Sequence, residues 1–166
     1  NFVTNHDENS WNGTIKERKG DASELLTTLV YAMPGMPLIY SGQEYDLNHR
    51  LKFFEKDSIP KTKGNTWNLL TKLGDLKNNH LAFHGGKIAA SYERLTTENE
   101  NVVAFKRSKE VAEVYFIGNL SNQVQSFILD VEGTYEDLLL NKSLILNQKK
   151  IQLAPWQYYL LNKVSP

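Results

Sequence analysis

A histidine and an aspartate, His6 and Asp7, directly follow a short apolar and β-branched stretch near the start of the sequence. Residues 2–5 have the composition of a β-strand, so the two titratable side chains would lie at its C-terminal end. In parallel β/α barrels this is the end that faces the reaction site. A carboxylate there can stabilise developing positive charge or bind hydroxyl groups, and a histidine can donate to a substrate oxygen. Glycoside hydrolysis uses such groups, because its transition state resembles an oxocarbenium ion.

The same dipeptide also has a structural interpretation. A histidine and an aspartate can cap a turn or pair with each other on a surface, and so short a motif recurs in unrelated sequences. The choice between the two interpretations therefore depends on the elements around the pair.

The composition is that of a globular protein with no electrostatic preference for a polyanion. The chain has 166 residues, 40% hydrophobic and 23% charged, and its 19 basic and 19 acidic side chains cancel. A net charge of zero gives no reason to predict nucleic acid or membrane as a partner. The absence of cysteine excludes disulfides and thiolate metal sites. The compartment stays open between cytoplasmic, periplasmic and secreted, because any targeting segment would lie upstream of Asn1.

The first half of the chain, residues 1–84, alternates predicted strands with predicted helices. After residues 2–5 and a polar loop, Asp21 with Glu24 three residues later matches a capping box at the start of a helix. The apolar residues of this helix recur at helical spacing, at Leu25, Leu26, Leu29, Val30 and Met33.

A second strand and helix follow in the same half. The run MPLIYSG, residues 36–42, is apolar on both faces, as a buried parallel strand requires, and residues 66–79 predict a helix with one apolar face. The order strand, helix, strand, helix predicts parallel β/α units. Two such units cannot close a barrel, so we expect exposed apolar surface on this half and self-association through it.

The pattern changes at Gly85 and Gly86, where short runs rich in Val, Ile, Tyr and Phe begin. Turn residues separate these runs, which span 88–95, 101–106, 112–119, 124–129, 135–140, 144–146, 151–153 and 157–161. Regularly spaced short strands predict that residues 85–166 form an antiparallel β-sandwich.

The stretch FVTNHDENSW, residues 2–11, resembles the fourth conserved region of the α-amylase family of glycoside hydrolases, whose core pattern is Phe-Val-x-Asn-His-Asp. PLIYSGQE, residues 37–44, is similar to the family's eighth barrel strand, with an aromatic residue before Gly-x-Glu. HRLKFFEKDSI, residues 49–59, is a looser match, and LAPWQYYLL, residues 153–161, resembles the closing strand of the family's C-terminal β-domain. The resemblance covers the whole chain, and the first motif is its most specific part.

The resemblance implies an α/β plus all-β protein cut from a larger enzyme. Residues 1–84 would be the last two β/α units of a TIM barrel, strands seven and eight with their helices. Residues 85–166 would be the β-sandwich domain that follows the barrel. The parent protein would hydrolyse α-1,4-glucosidic bonds in starch-like glucans.

The resemblance also implies roles for individual residues. Asp7 would be the third catalytic carboxylate, which supports the transition-state charge. His6 would hydrogen-bond the sugar where the bond breaks, and Asn5 would fix the turn that presents both. Trp11, beside the motif, would stack on a sugar ring, because aromatic faces suit the apolar faces of sugars.

The nucleophile and the general acid of a retaining glycosidase are missing, since the family places them on strands four and five. Glu8 and Glu44 do not match those positions. We expect Glu8 either to line the rim or to be solvated, and Glu44 to close a structural hydrogen bond at the strand end. The isolated chain is therefore expected to be inactive.

The sequence predicts no metal site and no cofactor in this chain. His49, His80 and His84 lack metal-ligand spacing. Asp46 and Asp57 are oxygen donors without a loop pattern. Family members often bind calcium, so calcium stays open for the parent enzyme.

Two other functions remain compatible with the sequence. The β-domain could be a starch-binding or stabilising module that itself contacts starch. This would require an exposed row of aromatic residues, for which the candidates are Tyr92, Tyr115, Tyr135 and Tyr158. The parent could instead be a transglycosylase or another α-glucosidase of the same family, because the loops that choose the product lie outside this chain.

Overall fold

The computed structural model describes residues 1–147 and 149–164. The chain divides into two compact units, Asn1–Lys77 and a second unit that begins at Asn78. This division falls near the end of a helix, a few residues before the change of sequence pattern at Gly85.

The first unit is mainly helical. A π-helical turn, Glu8–Asn12, precedes the helices α1 (Ile15–Lys19), α2 (Ser23–Ala32) and α3 (Asn65–Asn79), with 3-10 turns at Gly20–Ala22 and Gln43–Tyr45. The predicted helix at 66–79 is confirmed as α3, and α2 ends at Ala32, before Pro34 and Gly35.

The strands predicted at 2–5 and 36–42 are reduced to a single parallel bridge between Phe2 and Leu38. The Leu38 N–H donates to the Asn1 carbonyl at 2.9 Å, and the Asn1 ammonium group donates to the Met36 carbonyl at 3.0 Å. The parallel direction agrees with the predicted order of elements, but continuous strands were wrong for both segments. A helical turn already begins at His6, which leaves no length for a ladder.

Large apolar side chains along this bridge are exposed, namely those of Phe2, Met36, Leu38 and Ile39. Apolar surface of this kind is what the sequence predicts for a piece of a larger sheet.

The capping box predicted at Asp21 and Glu24 is wrong. Helix α2 has Ala22 as its N-cap, with no side-chain hydrogen bond. The 3-10 turn Gly20–Ala22 leads directly into α2, so this helix end is already preceded by helical backbone. The capping box occurs instead at α1, where the Thr14 hydroxyl accepts from the Glu17 N–H and the Glu17 carboxylate accepts from the Thr14 N–H.

Within its described residues, the second unit contains two antiparallel sheets. Its strands are β1 (Glu93–Arg94), β2 (Val102–Lys109), β3 (Ala112–Asn119), β4 (Gln125–Ile128), β5 (Gly133–Asp137), β6 (Lys142–Leu146), β7 (Lys150–Leu153) and β8 (Tyr158–Lys163). The larger sheet has the order β1-β2-β3-β8-β5-β6, and β4 pairs with β7 in the smaller one. The antiparallel β-domain predicted from the sequence is thus present.

Both sheets contribute to one apolar core. Strands β2, β3, β5 and β8 supply side chains from the larger sheet, and β4 and β7 supply Phe127, Ile151 and Leu153. Alternate side chains of each strand point into this core, as the period of two in an extended chain requires.

The predicted strand at 88–95 begins later than predicted. Residues Gly86–Ile88 form a 3-10 turn, and Glu93 and Arg94 form the strand that pairs with β2. The Ser91 and Leu95 N–H groups extend this pairing, since they donate to the Ser108 and Ala104 carbonyls of β2 at 2.9 Å. The stretch between them carries Ala89 and Ala90, which favour strand pairing less than the β-branched residues of β2 do.

The tyrosines of the β-domain do not form an exposed row. Tyr115 and Tyr135 are buried in the core, with ring centroids 5.4 Å apart. Burial raises the pKa of both phenols. Tyr92 is half-exposed and its ring contacts buried Phe105. This arrangement counts against an aromatic platform for starch on the sheet.

No helix among the described residues is long and apolar enough to cross a membrane.

Candidate functional site

The turn that carries His6 and Asp7 is capped by Asn5. The Asn5 side-chain oxygen accepts from the Glu8 N–H at 2.8 Å, and its carbonyl accepts from the Asn9 N–H at 2.9 Å. Asparagine is a preferred cap, because its short side chain satisfies the free N–H groups of a first turn. Asn5 therefore fixes the backbone from which the next two side chains project.

His6 and Asp7 both project into solvent. Their side chains are 62% and 60% exposed, and His6 Nε2 lies 3.5 Å from Asp7 Oδ2. Groups this exposed keep free hydrogen-bonding capacity for a ligand. The His6 ring also contacts the ring of Phe53, with centroids 5.7 Å apart.

The same turn holds a distant segment, the 48–58 loop. Asn9, which is 4% exposed, donates to the His49 carbonyl at 3.2 Å and accepts from the Leu51 N–H at 2.8 Å. The Ser10 hydroxyl donates to the Leu51 carbonyl at 2.7 Å. Two consecutive side chains of the turn thus bind the backbone of the loop.

Charged and polar contacts extend this attachment. The Thr14 hydroxyl donates to the Asn48 side-chain oxygen at 2.8 Å, and the Arg50 guanidinium binds both Glu17 oxygens at 3.0 and 3.1 Å. The hydrogen bond from Arg50, helped by that from the Thr14 N–H, lowers the pKa of Glu17 to about 2. Glu17 is therefore ionised at neutral pH and holds both its own helix and the loop.

Asp57 organises the loop from within. Its carboxylate lies 2.9 Å from His49 Nε2 and accepts from the backbone N–H groups of Lys52 and Ser58. These hydrogen bonds, that with His49 first, lower the pKa of Asp57 to about 2. The Asp57 carboxylate therefore forms its hydrogen bonds within the 48–58 loop.

Three aromatic residues meet where the loop lies against the turn, and we call Trp11, Phe53 and Phe54 the aromatic cluster. The ring centroids of Trp11 and Phe53 are 5.2 Å apart, those of Phe53 and Phe54 4.8 Å, and those of Trp11 and Phe54 6.3 Å. Trp11 is 58% exposed and Phe54 85% exposed. The cluster therefore presents open aromatic faces beside His6.

The two glutamates of the region have structural partners. Glu8 forms an ion pair with Arg18 at 2.6 Å. Glu44 accepts from the Gly42 N–H at 2.9 Å, which confirms the structural hydrogen bond predicted for it. Gly42 has a φ of +96°, and a Cβ there would lie 2.6 Å from a Leu47 methyl group. Glycine is thus required at this bend.

Within the described residues, no group of three His, Asp or Glu side chains is arranged to hold a metal ion. A cavity of about 400 Å³ lies in the first unit between α1, α2, α3 and residues 43–48. The four predicted site residues, Asn5, His6, Asp7 and Trp11, are not among the described residues that line it.

No protein-family model and no curated protein matches the sequence. Solved structures match closely in shape. The maltogenic α-amylase AmyB from Thermotoga neapolitana superposes with a TM-score of 0.83 at 17% identity, covering 100% of this chain and 41% of that protein. The α-amylase from Geobacillus thermoleovorans, solved with acarbose, has a TM-score of 0.73 at 15% identity, covering 99% and 38%. The cyclomaltodextrin glucanotransferase CldA has a TM-score of 0.72 at 15% identity, covering 99% and 36%.

This chain has the fold of α-amylase-type enzymes. It spans 36–41% of the length of these three proteins. Identities of 15–17% show the fold and leave the reaction to be argued from the residues of this chain.

The sequence placed Asn5, His6, Asp7 and Trp11 together because they are neighbours in the chain. It assigned nothing to Asn9, Phe53 or Phe54, which the structure brings to the same place. One signal was available: two adjacent phenylalanines in a charged segment without strand or helix periodicity, where no core would bury them.

Proposed function

We propose that this chain is the C-terminal portion of an α-amylase-type glycoside hydrolase. Residues 1–84 would contribute the last two β/α units of its catalytic barrel, and residues 85–166 its β-domain. The parent enzyme would cleave α-1,4-glucosidic bonds of starch-like glucans with retention. The observation that carries the proposal is the exposed His6–Asp7 pair, presented by a capped turn in a chain with this fold.

Asp7 acts in this proposal on charge that develops in the transition state. As the glycosidic bond breaks, the sugar ring gains oxocarbenium character, and a fixed carboxylate stabilises it more strongly than it stabilises the neutral substrate. Asn5 contributes by holding the turn, since its cap bond to Glu8 limits movement of the Asp7 backbone. His6 donates a hydrogen bond to a hydroxyl of the same sugar.

The chain alone is proposed to be inactive. Retention requires a nucleophilic carboxylate and a general acid about 5 Å apart. Neither Glu8 nor Glu44 suits these roles, because Glu8 is paired with Arg18 and Glu44 caps the bend at Gly42. The two missing groups would come from the upstream part of the parent enzyme. We infer no cofactor for this chain, and calcium stays open for the parent.

The test measures starch hydrolysis by the unsubstituted parent enzyme, by its Asp7→Asn variant and by an Asp21→Asn control, in which an exposed aspartate of the same unit is replaced. Removal of one group that stabilises transition-state charge costs on the order of 10³-fold in kcat. We expect that loss for Asp7→Asn with unchanged thermal stability, and near-normal turnover for Asp21→Asn. Normal turnover in both variants would reduce the motif to a structural turn.

A transglycosylase or another α-glucosidase of the same family is the second candidate. One structure of the same fold is a glucanotransferase. No residue of the site described above favours water over a sugar hydroxyl as the acceptor of the glycosyl group. A starch-binding or stabilising module has less support, because the tyrosines of the β-domain form no exposed row.

A further inference from the structure

The aromatic cluster combines exposure with rigid placement. Exposed aromatic surface is unfavourable in water, and contiguous patches of it in folded proteins commonly mark binding sites. Here Phe54 is the most exposed of the three rings, and it contacts both Phe53 and Trp11.

The cluster is built as one piece with the Asp7 turn. Phe53 and Phe54 lie in the 48–58 loop, whose backbone is bound by Asn9 and Ser10, two and three residues after Asp7. Asp57 closes the loop on the far side of the phenylalanines through the Lys52 and Ser58 N–H groups. The rings therefore keep a fixed distance from Asp7, which is what a preorganised binding site requires.

The neighbouring groups indicate what the cluster binds. A pyranose ring has an apolar face of C–H groups and an edge of hydroxyl groups. The cluster offers apolar aromatic faces, and His6, which contacts Phe53, begins a polar edge continued by the Asp7 carboxylate. A purely apolar partner would leave this polar edge desolvated and unpaired, which is costly.

We propose that the aromatic cluster is a subsite for a glucosyl unit of the bound glucan, with Phe54 as its main stacking face. The subsite holds the unit next to the one that Asp7 and His6 hold, so it contributes to the binding of every glucan long enough to fill both positions. This inference rests on the proposed function, since it needs a glucan in the site. Asn9 acts as a positioning residue, because it binds the loop and does not itself touch the sugar.

The experiment measures kcat and KM of the parent enzyme with maltohexaose and with maltotriose. The variants are Phe54→Ala, Phe54→Trp and the control Val111→Ala, an 89% exposed residue between β2 and β3. Loss of one stacking ring corresponds to a change in binding of about 10-fold. We expect Phe54→Ala to raise KM about 10-fold for both substrates, with kcat within twofold, because maltotriose is long enough to fill a subsite next to Asp7 and His6.

Phe54→Trp keeps an aromatic face and should restore the KM for maltohexaose, while Val111→Ala should change neither constant. No effect of Phe54→Ala on KM for either substrate would overturn the subsite. A fall in thermal stability with unchanged KM would also overturn it, because the rings would then pack against the rest of the enzyme. If Asp7→Asn abolishes turnover while Phe54→Ala has no effect on KM, the subsite alone fails. Normal turnover of Asp7→Asn removes the proposed function itself.

Discussion

Replacing Asn9 by alanine should release the 48–58 loop from the Asp7 turn. The Asn9 side chain makes two hydrogen bonds to the loop, at 2.8 Å from the Leu51 N–H and 3.2 Å to the His49 carbonyl. Each is worth about 1 kcal/mol, so Asn9→Ala should lower the free energy of loop opening by about 2 kcal/mol. That corresponds to about 30-fold in the opening equilibrium.

Hydrogen exchange of the Leu51 amide measures this opening directly, because the Leu51 N–H donates its hydrogen bond to the Asn9 side-chain oxygen. In Asn9→Ala the Leu51 amide should exchange about 30-fold faster. In Asn9→Asp, which keeps the acceptor and loses the donor, it should exchange about 5-fold faster. The matched control is Asn12→Ala, because Asn12 is an exposed asparagine in the same turn. If the Leu51 amide exchanged no faster in Asn9→Ala than in Asn12→Ala, the Asn9 side chain would not hold the loop.

Two further predictions concern charge and burial. The pKa of Asp57 is about 2, against an ordinary 3.8. The contribution of its carboxylate to folding stability is therefore complete above pH 4 and is lost as the pH falls through about 2. NMR titration of the carboxyl should give a midpoint near 2, and His49→Gln should raise it; a midpoint near 4 in the unsubstituted chain would contradict the hydrogen bonds to His49 and the Ser58 N–H. Asn119, fully buried, donates to two backbone carbonyls at 2.7 and 2.8 Å and accepts from a backbone N–H at 2.9 Å. Asn119→Ala should lower the free energy of unfolding of the second unit, measured in urea, by about 3 kcal/mol. The control Asn122→Ala, at an exposed position, should leave it nearly unchanged. Equal losses in the two variants would refute the role of these hydrogen bonds.

Elements that depend on local periodicity were predictable from the sequence. Helix α3 at Asn65–Asn79 follows from one apolar face, and β3 at Ala112–Asn119 has the predicted bounds. Both patterns are complete within the segment itself, so no distant partner has to be known.

Elements that depend on a partner or on a competing turn were not predictable. Residues 2–5 look like a strand, but a strand needs a neighbour for its whole length, and here only Phe2 pairs. Thr14 with Glu17 and Asp21 with Glu24 are equivalent capping patterns in the sequence. The 3-10 turn Gly20–Ala22 decides which of them operates.

The candidate site divides in the same way. Asn5, His6 and Asp7 are consecutive, so a motif finds them together. Asn9 meets Leu51 across 42 positions of sequence. A contact of that length leaves no periodic trace in one chain, which is why the loop and its two phenylalanines could be assigned only from the structure.

The order of strands in the β-domain constrains how this unit can be made. Strand β8 is the last in the described chain, yet it lies in the middle of the larger sheet, paired with β3 on one side and β5 on the other. During synthesis two parts of the larger sheet, β1–β2–β3 and β5–β6, therefore leave the ribosome before the strand that pairs with both, and β3 and β5 each keep an open edge until then. Only when β8 has emerged can it join them, so the sheet is completed from its centre.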